Sequence, residues 1–304
     1  MSDLPASISV REVGPRDGLQ NEAPVSTAAK VELVDALSGT GVRRIEAVSF
    51  VHPRAIPQMA DADEVWQRIA RNADVRYSAL VPNLRGAQRA LDAGFREIEV
   101  VVSASDTHNR KNINRSTEQS LDDIAELVAN AHQRGSTVQV IVSTAWGCPY
   151  EGEVPVERVV AVASRAVADG ANSISFGDTT GMATPGRVSR LIGEFRSANP
   201  DTAINLHFHN TRGAGLANVM AAMQVGVADF DSSVGGLGGC PYAPGASGNV
   251  ATEELVHLVE DMGVATGIDL DAMIEAAATA ERIVGRTLPS QVLRAGPRTR
   301  TTAA

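Results

Sequence analysis

The chain has 304 residues and 43% hydrophobic content, enough to bury a large core, and α/β barrels of about 250 residues commonly form one domain. A net charge of -9 disfavours binding to nucleic acids and to anionic membrane surfaces, because neither polyanion would be attracted. Only Cys148 and Cys240 are cysteines, which excludes a disulfide framework and favours a reducing compartment.

The chain begins with residues 1–7, which lack the basic and apolar regions of a secretory signal. No apolar run in the sequence approaches the about 20 residues that a membrane helix needs. We therefore expect a cytoplasmic protein.

Runs rich in β-branched residues recur along the chain and predict eight strands. They cover residues 8–13, 42–48, 75–81, 98–102, 137–142, 173–176, 203–208 and 228–231. Between them, apolar residues at three- and four-residue intervals predict helices, for example over 28–37, 121–131, 156–168 and 188–195. This alternation predicts an α/β fold, a (β/α)8 TIM barrel, with a doubly wound open sheet as the competitor.

The residues at the predicted boundaries agree with this alternation. A glycine, which suits a left-handed helix end, falls shortly before five of the strands: Gly41, Gly94, Gly135, Gly170 and Gly226. Ser116 and Gln119 have the spacing of a capping box, and Thr184 precedes Pro185 as an N-cap precedes a first helical proline.

A further helical pattern over residues 270–284 follows the eighth unit. It would close the base of the barrel or join a neighbouring subunit, and we expect a homo-oligomer, a dimer or a tetramer. Residues 1–285 would then form the catalytic barrel with its C-terminal helix, and residues 286–304 a flexible tail.

The seventh predicted strand carries His207 and His209, whose side chains point the same way because side chains alternate along a strand. Two neutral imidazoles at one point predict a metal site, and the alternative is a pair of hydrogen-bonded histidines beside the core. In a TIM barrel, chemistry lies at the C-terminal ends of the strands, and polar residues recur there in this sequence.

Two strand ends supply charged candidates beside these histidines. Asp17 after the first strand can give a carboxylate to a divalent cation, and Arg16 can neutralise charge on a substrate oxygen, although an Arg-Asp surface turn has the same sequence. Glu46 in the second strand would bind Arg16 or the substrate.

The glycine-rich segment 234–249 follows the eighth strand and has the length of a functional loop. Cys240 near its middle is a candidate proton donor. Asn249 at its end would give an amide oxygen to a metal or would cap the helix that starts near Thr252.

Two further candidates follow the sixth and fourth strands. Asp178 would take part in proton transfer, hold the water around the metal, or serve as a capping aspartate. The basic run of residues 110–115 lies just before the helix start at Ser116, which favours an anion site for a phosphorylated carrier, with a solvated charge run as the alternative.

With these motifs in hand, the sequence resembles the 3-hydroxy-3-methylglutaryl-CoA lyases, of the metal-dependent lyase and synthase barrels. The likeness spans residues 10–284 and rests on GPRDGLQNE, KNIN, GCPYEG, GDT, HFH and GLGGCPYA followed by GN. It departs at Asn210, where the family usually has aspartate, at Ala23, where animal members have a basic residue, and in lacking the C-terminal cysteine of some members.

The resemblance implies a set of roles for individual residues. It implies Mg²⁺ or Mn²⁺ held by Asp17, His207, His209 and Asn249. It implies Arg16 as the partner of a developing enolate, Cys240 as acid/base, and Glu46 and Asp178 as further catalytic groups. Lys111, Asn112 and Asn114 would lie near the CoA.

The expected reaction is cleavage of 3-hydroxy-3-methylglutaryl-CoA to acetoacetate and acetyl-CoA by retro-Claisen chemistry, with His207 or Asp178 as the base. One alternative is a lyase for another branched 3-hydroxyacyl-CoA or a related Claisen synthase. Another is a non-catalytic protein that binds a metal or CoA.

Overall fold

The computed structural model describes residues 4–239 and 248–300. Eight parallel strands close into a barrel in sequential order, with β1 hydrogen-bonded to both β2 and β8. The strands are β1 Ser9–Glu12, β2 Arg44–Ser49, β3 Arg76–Leu80, β4 Glu97–Ser103, β5 Thr137–Ser143, β6 Ser173–Asp178, β7 Ala203–Phe208 and β8 Asp229–Ser232. The predicted TIM barrel is confirmed, and each predicted strand lies within two residues of an observed one.

Helices alternate with the strands around the barrel. They are α1 Thr27–Ser38, α2 Ala62–Arg68, α3 Leu84–Asp92, α4 Asp106–Ile113, α5 Thr117–Gln133, α6 Val156–Ala168, α7 Pro185–Ala198, α8 Gly215–Gln224, α9 Thr252–Asp261, α10 Leu270–Val284 and α11 Gln291–Ala295. Within residues 4–239 and 248–300, no helix is both long enough and apolar enough to cross a bilayer.

Local sequence explains where several of these elements end. The five glycines before strands all have positive φ, the conformation that favours a residue without Cβ. The hydroxyl of Ser116 accepts a hydrogen bond from the N–H of Gln119, and the side chain of Gln119 accepts one from the N–H of Ser116, so the predicted capping box begins α5. Pro185 is the first residue of α7.

The C-terminal region packs against the side of the barrel. Helix α10 contacts α1 and α9 and buries Met273 and Ala277, so it extends the outer helical ring and does not close the base. Beyond it, Leu288 is buried and Arg286 pairs with Glu22. The segment 286–300 therefore differs from the expected frayed tail, because apolar packing and ion pairs attach it to the barrel.

The barrel interior carries charged side chains where such barrels usually carry branched apolar ones. Arg11, Glu46, Glu99 and Asp231 lie on strands and are each at most 5% exposed. Arg11 pairs with Asp231 and Glu99, and Glu46 pairs with Arg16, which compensates for the loss of hydration.

Candidate metal centre and active site

A tight turn directly after β1 places two of the predicted site residues. The backbone N–H groups of Asp17 and Gly18 both donate to the carbonyl of Val13, which closes the short π-helical turn Gly14–Gly18. A Cβ on Gly18 would press against the Cβ of Leu237, so glycine permits this turn to approach the segment after β8. Asp17 is thereby held at the rim formed by the C-terminal ends of the strands.

Asp17, His207 and His209 come together at this rim. One ligand atom from each lies within 4.8 Å of the others, which is the geometry of a possible metal site. His207 belongs to β7 and His209 follows its last residue, and their ring centroids are 5.2 Å apart. The Nε2 of His207 is 4.0 Å from Oδ2 of Asp17.

Asn249 completes this group from the far end of the glycine-rich segment. Its Nδ2 donates to Oδ2 of Asp17 at 2.8 Å and to the carbonyl of Leu237 at 3.0 Å. Its Oδ1 is buried without a hydrogen-bond partner. Asn249 is not the N-cap of α9, because that position belongs to Ala251. The rival capping role is therefore wrong, and the free amide oxygen is available as a ligand.

The protonation states of these groups suit a cation. Burial raises the pKa of Asp17, but Arg16 and the two histidines outweigh it and hold that pKa at about 2. Burial and the neighbouring His207 lower the pKa of His209 to about 4, so its imidazole is neutral near pH 7. Burial lowers the pKa of His207, yet a hydrogen bond to Asp231 and the charge of Asp17 leave it raised overall.

The side chains of this site are suitable ligands for a divalent cation. An ionised carboxylate, two imidazoles and an amide oxygen without a hydrogen-bond partner form a donor set for a metal such as Mn²⁺. His209 also has a buried Nδ1 without a partner. A site with no such role would leave these buried polar atoms unexplained.

Arg16 lies between the metal candidates and Glu46. Its Nη1 donates to Oδ1 of Asp17 at 2.8 Å, and its Nε donates to Oε2 of Glu46 at 2.6 Å. Gln20 donates to the same Oδ1 of Asp17 at 2.9 Å. Of the two roles expected for Glu46, its contact is with Arg16, and burial raises the pKa of Glu46 to about 8.

Asp178 ends β6 and contacts the loop that follows. Its Oδ1 accepts hydrogen bonds from the backbone of Met182 and Ala183 at 2.7 and 3.1 Å, which fixes this loop but is not a helix cap, because the N-cap of α7 is Thr184. Its Oδ2 is buried and has no partner. Burial raises the pKa of Asp178 to about 6, so the free oxygen can exchange a proton near neutral pH.

The proposed CoA-binding residues lie on and after α4. Lys111 stands over the ring of Tyr150, 4.8 Å from its centroid, and Tyr150 is 45% exposed. Asn112 belongs to α4, and Asn114 ends the helix with a left-handed backbone. The N-terminus of α5 is partly occupied, because Thr117 donates its N–H to Asp106. An anion at this terminus would therefore need side chains in addition to the backbone.

Two further sequence-based expectations concern the glycine-rich segment and the end of β7. Cys240 lies outside the described residues, so its catalytic role stays a prediction. Asn210, the departure from the family pattern, accepts a hydrogen bond from the N–H of Gly215 at 3.0 Å and bonds the carbonyl of Gly248 through its own N–H. An aspartate could accept the same bond from Gly215, so this contact is compatible with either residue.

Sequence reasoning missed the charged residues behind the site. Asp231 contacts His207. Arg11 donates hydrogen bonds to Asp231 and, across the barrel, to Glu99. The signal was present, because a charged residue inside a strand that helices cover on the outside must face the barrel interior and find a partner there.

The fold and the site define a class: a (β/α)8 barrel with a candidate metal centre and an adjacent arginine at the rim. The family model described as HMGL-like matches residues 7–280. The chain belongs to this family.

Individual relatives narrow the comparison. Hydroxymethylglutaryl-CoA lyase YngG of Bacillus subtilis is 45% identical over 290 residues, which cover 95% of this chain and 97% of that protein. (R)-Citramalyl-CoA lyase of Chloroflexus aurantiacus is also 45% identical, over 302 residues covering 96% of this chain and 95% of that protein. An HMG-CoA lyase from Acinetobacter baumannii, solved with coenzyme A and 3-methylmalate, is 43% identical with a TM-score of 0.94 and full coverage of both chains.

Proposed function

We propose that this protein is a carbon-carbon lyase that cleaves 3-hydroxy-3-methylglutaryl-CoA to acetoacetate and acetyl-CoA. The observation that carries the proposal is the meeting of Asp17, His207 and His209 within 4.8 Å, with the free Oδ1 of Asn249 and the guanidinium of Arg16 beside them. Membership of the HMGL-like family supports it.

Asp17, His207, His209 and Asn249 would hold the cation, Mg²⁺ or Mn²⁺. Carboxylate and amide oxygens suit both ions, whereas two imidazoles favour Mn²⁺. When bound, a divalent ion supplies Lewis acidity that lowers the pKa of the substrate hydroxyl and orients its oxygens.

The protein side chains would divide the remaining steps. Asp178 is the better candidate for the base, since its Oδ2 is free and its pKa is about 6, while Nδ1 of His207 is engaged by Asp231. The base takes the proton of the C3 hydroxyl, C3 becomes a ketone, and the bond between C2 and C3 breaks. The electron pair of that bond enters the thioester enolate.

Arg16 would offset the negative charge of the enolate oxygen. Glu46 and Asp17 hold this guanidinium from two sides, so it is already oriented before the charge develops. A proton delivered to C2 completes acetyl-CoA, and Cys240 is the proposed donor. Lys111, Asn112 and Asn114 would contact the CoA.

A lyase for another branched acyl-CoA is the second candidate, and the citramalyl-CoA lyase at 45% identity favours it specifically. Both substrates carry a tertiary hydroxyl on the carbon that becomes a ketone, so the same site chemistry serves either. Their acyl chains differ in length, which makes the distance from the cation to the terminal carboxylate the discriminating feature.

Turnover of the two thioesters tests these proposals directly. We expect the purified protein with Mg²⁺ or Mn²⁺ to release acetoacetate from 3-hydroxy-3-methylglutaryl-CoA and to stop when EDTA is added. Faster release of pyruvate from citramalyl-CoA would transfer the assignment to the second candidate. Metal binding without cleavage of either thioester would leave only a non-catalytic role, and formation of the thioester from its products alone would indicate a synthase.

We also propose a cytoplasmic homo-oligomer, a dimer or a tetramer. The two-cysteine composition supports the compartment. Light scattering coupled to size exclusion measures the assembly, and a monomer at micromolar concentration would contradict it.

A further inference from the structure

Asp231 lies in line with two charged or ionisable residues on the strands beside it. In the barrel register it is paired with His207 of β7 on one side and with Arg11 of β1 on the other. Its side chain contacts both, because Oδ2 is 3.2 Å from Nδ1 of His207 while Arg11 bonds both of its oxygens. Asp231 thus connects the candidate metal centre to the barrel interior.

Arg11 fixes the orientation of the Asp231 carboxylate. Its Nε and Nη2 donate to the two oxygens at 2.9 and 2.8 Å, a bidentate pairing that allows one orientation of the carboxylate. The remaining Nη1 donates to Oε1 of Glu99 at 2.5 Å. The side chains of Arg11, Asp231 and Glu99 are 1–2% exposed, so water does not compete for these contacts.

The partner of His207 dictates which ring nitrogen carries the proton. An ionised carboxylate only accepts hydrogen bonds, so Nδ1 of a neutral His207 must be the donor to Asp231. The lone pair of that ring then lies on Nε2, the nitrogen that is 4.0 Å from Oδ2 of Asp17. A metal needs this lone pair, and the opposite tautomer would present an N–H to it.

We propose that Asp231 is a positioning residue that keeps the proton of His207 on Nδ1 and its Nε2 directed at the cation, and that Arg11 holds Asp231 in place. The inference rests on the proposed metal site. It assigns a purpose to the buried pair of Arg11 and Asp231, which by itself is weak evidence for stability because both charges lose their hydration.

The chain offers a matched control in Asp229. It lies two residues before Asp231 on β8, and its carboxylate pairs with an arginine, Arg44, at 2.6 Å. The carboxylate of Asp229 also accepts a hydrogen bond from Asn205 at 3.2 Å, so its described partners are Arg44 and Asn205. Replacing it removes the same charge from the same strand while leaving the support of His207 intact.

The test measures Mn²⁺ affinity by calorimetry for the wild type, Asp231→Asn and Asp229→Asn. An amide accepts through one oxygen only, so Arg11 and His207 would compete for it in Asp231→Asn. We expect that variant to bind Mn²⁺ about 10- to 100-fold more weakly, with Asp229→Asn within about twofold of wild type. Equal affinity of the folded Asp231→Asn variant and the wild type would overturn the inference.

A second measurement covers the case in which Asp231→Asn does not fold. Histidine ¹⁵N NMR of the metal-free wild type at alkaline pH reports the tautomer of His207, whose signal is assigned with His207→Gln. A proton on Nδ1 is expected, and a proton on Nε2 would overturn the inference. Absence of Mn²⁺ binding by the wild type would instead contradict the proposed metal centre, whichever tautomer is found.

Discussion

The candidate centre uses side chains that are fixed through one polar atom and leave another free. Nδ2 of Asn249 is bound by Asp17 and Leu237, which directs Oδ1 elsewhere, and Asp178 gives one oxygen to the backbone and keeps the other free. A buried polar atom without a partner costs about 1–3 kcal/mol. Such atoms therefore point to a ligand that would satisfy them.

Arg16→Gln tests the role of the guanidinium at the scale of one residue. We expect cleavage of the thioester to fall about 100-fold or more, because the developing enolate charge loses its partner. Mn²⁺ affinity should change little, since Arg16 contacts Asp17 through Oδ1 while Asn249 still holds Oδ2. Cleavage rate and calorimetric affinity are measured on the same preparation.

The control for Arg16→Gln is the double variant Arg16→Gln with Glu46→Gln. The single change leaves Glu46 buried without its partner, and the double change removes that unpaired carboxyl. Recovery of thermal stability without recovery of cleavage is the expected pattern. Recovery of cleavage would mean that Arg16 acts only by pairing with the buried carboxyl of Glu46.

The position of a site residue was predictable where it depends on the local sequence. It was missed where it depends on a contact with a neighbouring strand. Strand alternation alone places His207 and His209 on one side. The partner of His207 is Asp231, and finding it requires the register between β7 and β8, which no spacing in the sequence specifies. The sequence likewise left two roles open for Asn249, metal ligand and N-cap. The structure excludes the N-cap role, because Ala251 is the N-cap of α9.

At the scale of elements, the two described ends of the glycine-rich segment meet in a narrow neck. A Cβ on Gly248 would overlap the carbonyl oxygen of Gly238, and a Cβ on Gly238 would meet Nδ2 of Asn249 at 2.8 Å. An antiparallel β-bridge between His209 and Asn249 joins this neck to the residue that follows β7. The close approach of these backbones therefore sets the place of the Asn249 amide.

Gly248→Ala should weaken the metal site through this neck. The added methyl group must push the two backbones apart and displace Asn249, so we expect Mn²⁺ affinity to fall about 10-fold or more. Gly239→Ala is the matched control, because no described atom lies within 4 Å of a Cβ built there. Equal affinities of the two variants, measured by calorimetry, would show that the neck does not position Asn249.

Glu12, the last residue of β1, bonds the start of the glycine-rich segment, and its buried carboxyl should make stability depend on pH. Its carboxylate accepts hydrogen bonds from the backbone of Val234 and Gly14 and from the hydroxyl of Thr252. Burial raises the pKa of Glu12 from 4.5 to about 7. The folded state therefore binds this proton more tightly than the unfolded state does, and the contribution to stability is lost as pH rises through about 7.

We expect the free energy of unfolding of the wild type, relative to Glu12→Gln, to fall by about 2–3 kcal/mol from about pH 5 to about pH 8 in EDTA. Urea denaturation of both proteins across that range measures the difference. A difference that stays constant with pH would show that the Glu12 carboxyl has the same pKa in the folded and unfolded states.

Strands and helix ends were predictable to within a few residues, because hydrophobic period, glycine and capping residues act locally. The turn after β1 was not predictable as a π-helical turn, since its geometry depends on Val13 accepting from several N–H groups at once. Residues 286–304 were expected to fray because they lie at the chain terminus. Within the described part of this segment, however, Leu288 is buried and Arg286 pairs with Glu22.

At the scale of the whole molecule, the barrel concentrates charge around its axis. Carboxylates of Glu46, Glu99 and Asp231 face the guanidiniums of Arg11 and Arg16, and Asp17 adds a further negative charge at the rim. Within the described residues this group carries more acids than bases. Because burial raises the pKa of Glu46 to about 8, the charge that favours a cation at the rim is that of Asp17, whose pKa is held at about 2.

The barrel itself followed from the sequence because eight strand signals alternate with helical ones along the whole chain. Charged residues inside strand runs such as RIEAVS and EIEVVVS indicate a charged interior, but their pairing was not predictable, since it depends on how the sheet closes. Closure is a property of the complete sheet, so the contacts of Arg11 across the barrel could not be read from β1 alone.

The most direct test of the account is the position of Mn²⁺ in a crystal of the protein, located by anomalous scattering at the manganese absorption edge. We predict one peak at the rim, about 2 Å from Asp17, from Nε2 of His207, from a ring nitrogen of His209 and from Oδ1 of Asn249. A peak elsewhere, or a rim without manganese at saturating concentration, would contradict it.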